Sequence, residues 1–110
     1  MQANSKFQTF IGFAVRANKY KAGMNSILTL KRAKLVIVCK SASENTKKQA
    51  LKVAKKLGAE LYVTVKSLLA DLIYKENAKV MAITDGELSK AVLNNADGEL
   101  LKINQENIYG

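Results

Sequence analysis

Leu35-Val36-Ile37-Val38-Cys39 is the stretch that decides the fold of this 110-residue chain. Its five side chains are all apolar, with no polar residue at either alternate position, which is typical of a strand covered on both faces. Such a strand needs neighbours in a sheet and helices on both sides of that sheet. Cys39 is the one cysteine of the chain, so it has no internal disulfide partner, and we expect a buried thiol.

Helices and strands alternate on both sides of this run. Apolar residues at helical spacing predict a helix ending near Asn18, a short helix after Gly23, and a lysine-rich helix ending at Gly58. The strand-forming segments are 35–39, 61–65 and 80–84, with 100–103 as a weaker fourth. This order predicts an α/β fold whose mixed sheet of about four strands has helices on both faces. We expect one domain over residues 1–96 and a C-terminal tail, loosely ordered, over residues 97–110.

Charge divides the chain into two unequal parts. The first 58 residues hold thirteen Lys or Arg and a single acid, Glu44, whereas the remaining 52 hold five Lys and eight Asp or Glu. A domain with a net charge of +9 and this polarity is built to meet an anion. The pattern predicts RNA or another phosphate polymer as the partner.

Several classes of function are excluded or disfavoured by composition. The chain has no histidine and one cysteine, which excludes Ser-His-Asp and Cys-His catalysis and zinc clusters. Its glycines form no phosphate-binding loop, so we expect neither enzymatic activity nor a cofactor or metal. No apolar run is long enough for a membrane span, and the N-terminus lacks the apolar centre of a signal peptide. We therefore expect a cytoplasmic protein that does not bind membranes.

The segment KYKAGMNS, residues 19–26, carries the residues best suited to bind RNA. The first turn of a helix presents backbone N–H groups to anions, and Gly23 lets another backbone approach closely. Asn25 offers a donor and an acceptor, which suits base edges. The cations around this turn are Lys19, Lys21, Lys31, Arg32 and Lys34. Side chains reach base edges only where a bulge, loop or kink opens the RNA. The alternative is that Asn25 only caps a helix.

Three segments resemble the bacterial members of the L-seven-Ae / L-thirty-e ribosomal protein family. The most specific is LVIVCKSASENTKK, residues 35–48; residues 11–17 (IGFAVRA) and 82–85 (AITD) are weaker, and the likeness covers about residues 7–95. The resemblance implies a three-layer α-β-α sandwich. It also implies binding to kink-turn RNA, an internal bulge flanked by sheared G·A pairs.

The resemblance also assigns roles to particular residues. The family's Gly-x-Asn at the helix start falls on Gly23, Met24 and Asn25, and the loop after the first main strand falls on residues 40–43, beginning with Lys40. The loop that covers a flipped-out nucleotide falls on residues 73–78, where we expect contacts from Ile73, Tyr74 and Lys75, with Tyr74 able to stack on a base. The chain departs from the family at two positions: Ser26 stands where Glu is frequent, and Thr29 where Lys is frequent. The stretch from Gly23 to Ala33 is also about three residues short.

Together these observations predict a monomeric, non-catalytic RNA-binding protein, either ribosome-associated or of the kink-turn type. Its predicted interface comprises Lys19, Lys21, Gly23, Met24, Asn25, Ser26, Lys31, Arg32, Lys34, Lys40, Ile73, Tyr74 and Lys75. Two alternatives share the same fold: a protein-interaction module, and a stand-alone RNA-recruiting domain related to RNA-modifying enzymes. The arrangement of the lysines separates RNA binding from the protein-interaction module, because cations scattered around the molecule would remove the physical basis for RNA binding.

Overall fold

A single mixed sheet runs through the part of the chain that the computed structural model describes, residues 6–103. Its strands are β1 (Tyr20–Ala22), β2 (Leu35–Val38), β3 (Glu60–Thr64), β4 (Val80–Ile83) and β5 (Leu100–Ile103). They lie in the order β1-β4-β2-β3-β5. β2 and β3 are parallel, whereas β4 is antiparallel to both β1 and β2, and β5 is antiparallel to β3.

The prediction of about four strands is wrong, since residues 6–103 contain five. The strand that the pattern missed is β1, whose three residues alternate in burial but are too few to predict a strand from the sequence. Pairing of Tyr20 with Ile83 and of Ala22 with Met81 makes it a strand, and that pairing is a tertiary contact. β5 lies inside the predicted tail of residues 97–110, and its register joins Leu61 to Ile103. Residues 104–110 lie outside the described part.

Five helices accompany the sheet within residues 6–103: α1 (Lys6–Arg16), α2 (Met24–Ile27), α3 (Glu44–Leu57), α4 (Leu69–Ile73) and α5 (Gly86–Asn94). The Ser43 side chain caps α3 by accepting a hydrogen bond from Thr46 N, and Asp85 caps α5 by accepting one from Leu88 N at 2.8 Å. Gly58 ends α3 at φ 74°, as predicted. Among the described residues, no helix combines the length and apolar character of a membrane span.

The two faces of the sheet hold separate apolar clusters, which explains the unbroken run at residues 35–39. Leu35, Ile37 and Cys39 pack with α1, α4 and α5 on one face. Val36 and Val38 pack with α2 and α3 on the other. All five side chains are at most 1 % exposed. Full burial of one large aliphatic side chain contributes about 1.5–3 kcal/mol, so each polar substitution in this run would be costly. The mixed α/β fold with helices on both faces is therefore confirmed.

Candidate nucleic-acid interface

Gly23 makes the turn that joins β1 to α2. Its backbone has φ 89° and ψ 143°, a conformation that residues other than glycine rarely adopt. Its N–H donates to the Val80 carbonyl oxygen at 2.9 Å, and its own carbonyl oxygen accepts from Ile27 N at 3.0 Å. A Cβ added at Gly23 would meet no atom within 4 Å, so the requirement for glycine is conformational rather than steric.

The start of α2 presents Asn25 and Ser26 at the surface, while Ile27 is buried. Gly23 is the N-cap residue, and no side chain makes a capping hydrogen bond there. Asn25 therefore lies inside the helix and does not cap it, contrary to the alternative considered from the sequence. The N–H groups of residues 24–26 precede the first intrahelical bond, so they have no partner within the helix. With four residues, α2 has only a small dipole.

The end of the sheet next to Gly23, which we call the turn end, also carries residues 40–43 and residues 79–80. Cys39 N donates to the Lys79 carbonyl oxygen at 2.7 Å, and Lys40 N donates to Thr64 Oγ1 at 2.9 Å. The Lys79 Nζ donates to Ser41 Oγ at 2.8 Å. The Lys40 Nζ donates to the Lys66 carbonyl oxygen at 3.3 Å. Two ammonium groups are thus held at the end of the sheet where the Gly23 turn lies.

Lys79 is a candidate that sequence reasoning missed. The residue precedes the apolar run of β4, and only the antiparallel pairing of β2 with β4 brings it beside the residues that follow Cys39. The sequence shows only that Lys79 comes just before a strand. The order and direction of the strands must be known before that position can be assigned to the turn end.

Cys39 ties α4 to the turn end. Its Sγ accepts a hydrogen bond from Leu69 N at 3.3 Å and lies 3.3 Å from Ser41 Oγ. Burial raises the pKa of the Cys39 thiol, but hydrogen bonds from Ser41, Leu69 and Thr64 together outweigh burial and lower the pKa. The thiol is 1 % exposed, which confirms the expected core cysteine.

The loop after α4 contains Ile73, Tyr74 and Lys75, which occupy different environments. Ile73 is 3 % exposed and belongs to the core, so its side chain provides no surface for a nucleotide. Tyr74 is 90 % exposed and ends α4 at φ 55°. Lys75 is exposed, and residues 74–79 lead into Val80 at the turn end.

The remaining predicted cations lie elsewhere. Thr84 N donates to the Lys19 carbonyl oxygen at 2.9 Å, and Lys34 N donates to the Ile83 carbonyl oxygen at 2.9 Å, which places both lysines at the opposite, far end of the sheet. The chain at Lys31 and Arg32 leads into this end, since Ala33 N donates to Leu57 O. Lys21 lies midway along β1 and is exposed. Lys19 is separated from Gly23 by about 13 Å, the rise of four strand residues.

The structure thus divides the predicted interface. Met24, Asn25, Ser26, Lys40, Tyr74 and Lys75 belong with Gly23 to the turn end or to the loop that leads into it. Lys19, Lys31, Arg32 and Lys34 belong to the far end. A sequence pattern groups residues that are close along the chain. An extended strand separates such residues by about 3.3 Å each, so residues at its two ends lie at opposite ends of the sheet.

Comparisons with known proteins concern the fold. Neither a family model nor a curated protein sequence matches this chain. Among solved structures, a protein with unknown function from Bacillus halodurans C is similar, with a TM-score of 0.73 and 22 % identity over 86 % of this chain and 99 % of that one. The Giardia lamblia 15.5kD RNA binding protein is also similar, with a TM-score of 0.59 and 18 % identity over 86 % of this chain and 88 % of that one. At these identities the likeness establishes a shared fold, and one protein with that fold is an RNA-binding protein.

Proposed function

We propose that this protein is a non-catalytic RNA-binding protein that recognises a bulged or kinked RNA at the turn end of its sheet. The observation that carries the proposal is the convergence at this end of three loops that are distant in sequence. They present the exposed Asn25 and the ammonium groups of Lys40 and Lys79, and the loop that ends at Lys79 begins with the exposed Tyr74 and Lys75.

Each of these groups has a distinct task. The Asn25 amide donates to and accepts from base edges, and the lysines neutralise phosphates without regard to sequence. Tyr74 offers an exposed aromatic face on which an unstacked base can lie. These groups suit an RNA whose bases are splayed out and do not suit a regular duplex, whose major groove excludes side chains.

The distribution of charge between the two faces supports a wider electrostatic contribution. On the face of α2 and α3, α3 carries five lysines and one acid, Glu44. On the other face, α1, α4 and α5 mix both signs, with Lys6, Arg16 and Lys90 against Asp71 and Glu87. A field of one sign on the α3 face would attract RNA to the molecule before the turn end makes specific contacts.

The preference for a kink-turn and an association with the ribosome are the finer parts of the proposal. They rest on the resemblance of residues 35–48, and the RNA-binding neighbour is compatible with them. The turn at Gly23 supports the resemblance, because the positive φ explains why glycine stands two residues before Asn25. Ser26 and Thr29 are shorter than the Glu and Lys frequent in the family, so we propose weaker binding than a full family motif would provide.

The test is a binding titration of the full chain with three RNAs of equal length: a kinked RNA with sheared G·A pairs, a plain duplex, and a single strand. We expect the kinked RNA to bind at least about tenfold more tightly than the duplex at physiological salt. Equal affinity for all three would show that the protein binds phosphates without specificity and that the turn end does not recognise a kinked RNA. No binding to any of them would instead favour a protein-interaction module.

That alternative is favoured by one observation. Exposed apolar side chains accompany the polar ones, with Leu28 51 % exposed just after α2 and Tyr74 90 % exposed after α4. A protein partner would cover them, whereas a bulged RNA needs only the aromatic ring. Leu28→Ser separates the two functions, since it would weaken capture of a protein partner and leave RNA affinity within about twofold.

A further inference from the structure

A groove of about 600 Å³ lies between α1 and the segment that leads into and through α4. On the α1 side it is lined by Gly12 and Arg16, among others, and on the opposite side by Ser67, Asp71 and Tyr74. None of its α1 residues belongs to the predicted RNA interface. The volume falls within the range of about 300–1,000 Å³ that is usual for small-ligand sites.

Arg16 is prepared for an anion in this groove. Its guanidinium lies over the Phe13 ring, with 5.1 Å between Cζ and the ring centroid, and this contact restrains the side chain. Gly12, one turn earlier, leaves room for it, since a Cβ at that position would come within 3.3 Å of Nη1. A guanidinium that lies over an aromatic ring makes no hydrogen bond to that ring, so its N–H groups stay available for an oxyanion such as phosphate.

The other groups of the groove suit the remaining parts of a nucleotide. Tyr74 stands at the rim, 90 % exposed and in a left-handed conformation at the end of α4, so its ring is offered from a defined backbone position. Lys66 also lines the groove, although its ammonium group lies next to Gly98. The Ser67 hydroxyl and the Asp71 carboxylate can hydrogen-bond to ribose hydroxyls or base amino groups. A cation, an exposed aromatic ring and small polar groups around one cleft are the features of single-strand binding sites.

We infer that the groove between α1 and α4 binds a single-stranded RNA segment that extends from the element held at the turn end, with Arg16 on its phosphate. Tyr74 is 90 % exposed, so one face of its ring can stack on a base of this segment while the other face stays open to the kinked element. This inference rests on the proposed RNA-binding function. The path is continuous, because Tyr74 lines the groove and residues 74–79 lead into Val80 at the turn end. The RNA would then be bound on two sides of this loop.

The experiment compares a kinked RNA with blunt ends to the same RNA carrying a short single-stranded extension, and adds a short single-stranded oligonucleotide alone. For the wild-type chain we expect the extension to tighten binding about five- to twentyfold. Arg16→Gln should abolish this gain and leave the affinity for the blunt RNA within about twofold. Arg16→Lys should restore only part of the gain, because it keeps the charge but loses the forked geometry.

Lys90→Gln is the matched control, since it removes one positive charge from an exposed position in α5 that does not line the groove. It should retain the gain from the extension. Thermal unfolding of each variant checks that the fold is intact, and we expect it to be, because Arg16 is exposed.

The outcomes separate this inference from the proposed function. If the blunt RNA binds tightly and the extension gives no gain, the groove does not bind RNA, and the proposed function is unaffected. The same conclusion follows if Arg16→Gln keeps the gain. Failure to bind the kinked RNA, together with Arg16-dependent binding of the oligonucleotide, overturns both recognition at the turn end and the continuous path, and leaves the groove as a separate single-strand site. Failure to bind any of the RNAs overturns both.

Discussion

At Gly23 the backbone has φ 89° and ψ 143° and donates its N–H to the Val80 carbonyl oxygen. This one residue decides where α2 begins relative to β4, and therefore where Asn25 stands. Neighbouring positions have different constraints. Burial requires an apolar residue at position 27, which is Ile27, whereas Asn25 and Ser26 are exposed and packing does not constrain their residue type. Exposed polar residues on a rigidly placed turn are the ones whose identity reflects binding rather than folding.

Gly23→Ala should destabilise the protein by about 1–3 kcal/mol, because alanine at this φ is strained even though the space around it is open. Urea denaturation measures the difference in unfolding free energy. Gly86→Ala is the control. Gly86 is the first residue of α5, and a Cβ there makes only an ordinary 3.8 Å contact with Lys34 Cε. We expect that variant to be neutral or more stable by up to about 1 kcal/mol. Equal losses in both variants would show that the Gly23 conformation is not the cause.

Asn25→Ala should weaken binding to the kinked RNA by about 1–3 kcal/mol and change binding to plain duplex little, because only base contacts are lost. Parallel titrations with both RNAs measure the two effects. Asn94→Ala, an exposed asparagine in α5 on the other face of the sheet, should leave both affinities unchanged. A similar loss of affinity for both RNAs would mean that Asn25 holds phosphate and takes no part in recognition.

At the scale of elements, the formation of a short segment depends on contacts with its neighbours, whereas a long segment contains the signals for its own structure. β1 has three residues and exists through its pairing with β4, whereas α3 has fourteen residues, a capping serine and a terminal glycine. The sequence of α3 contains all of these signals, so its bounds were predictable. β1, Tyr20–Ala22, contains none of them, so the predicted turn of residues 19–26 hid an edge strand.

Ser43→Ala should lower the unfolding free energy by about 0.5–2 kcal/mol, since Thr46 N loses the hydrogen bond that it donates to Ser43 Oγ at 3.1 Å. Ser43→Asp keeps an acceptor at the helix start and should retain most of the stability. Thermal unfolding followed by circular dichroism compares the three proteins. If alanine and aspartate behaved alike, the cap would contribute nothing to the stability of α3.

At the scale of the whole molecule, most cations of the predicted interface, together with the α3 lysines, form three groups: the turn end, the far end, and the exposed surface of α3. Arg16 and Lys66 belong to none of these groups and line the groove. The cations that the sequence grouped around Gly23 are therefore divided between the two ends of the sheet, and the cations as a whole are not evenly scattered. The far-end group of Lys19, Lys31, Arg32 and Lys34 lies at the opposite end of the sheet from Gly23, with Lys19 about 13 Å away by the rise of four strand residues. We expect the far-end and α3 cations to act through the long-range field and the turn-end cations through contact.

The salt dependence of RNA binding tests this division. For three phosphate contacts by the turn-end lysines, the slope of log K against log salt should be about −2 to −3. Replacing Lys40, Lys75 and Lys79 together with glutamine should make the slope shallower by about 2–3. Replacing Lys52, Lys55 and Lys56 removes the same charge from α3 and should change the slope by less than about one. Equal changes in the two triple variants would assign the α3 lysines to direct phosphate contact.

The sequence by itself determined the alternation of helices and strands, the strand buried on both faces, the cap and end of α3, and the charge asymmetry between the halves. These properties are local, because periodicity, capping and composition act within one segment. The turn at Gly23 was also predictable, since glycine before an exposed polar helix start has a specific conformational use.

Only the tertiary structure decided which residues of the predicted interface lie together. The register of β1 and β2 against β4 separates Lys19 and Lys34 from Gly23 and brings Lys79 beside Ser41, although Lys79 is far from it in sequence. Packing likewise buries Ile73 while leaving its neighbour Tyr74 exposed at the groove. The physical reason is that strand pairing and burial depend on contacts between residues distant along the chain, which no local pattern contains.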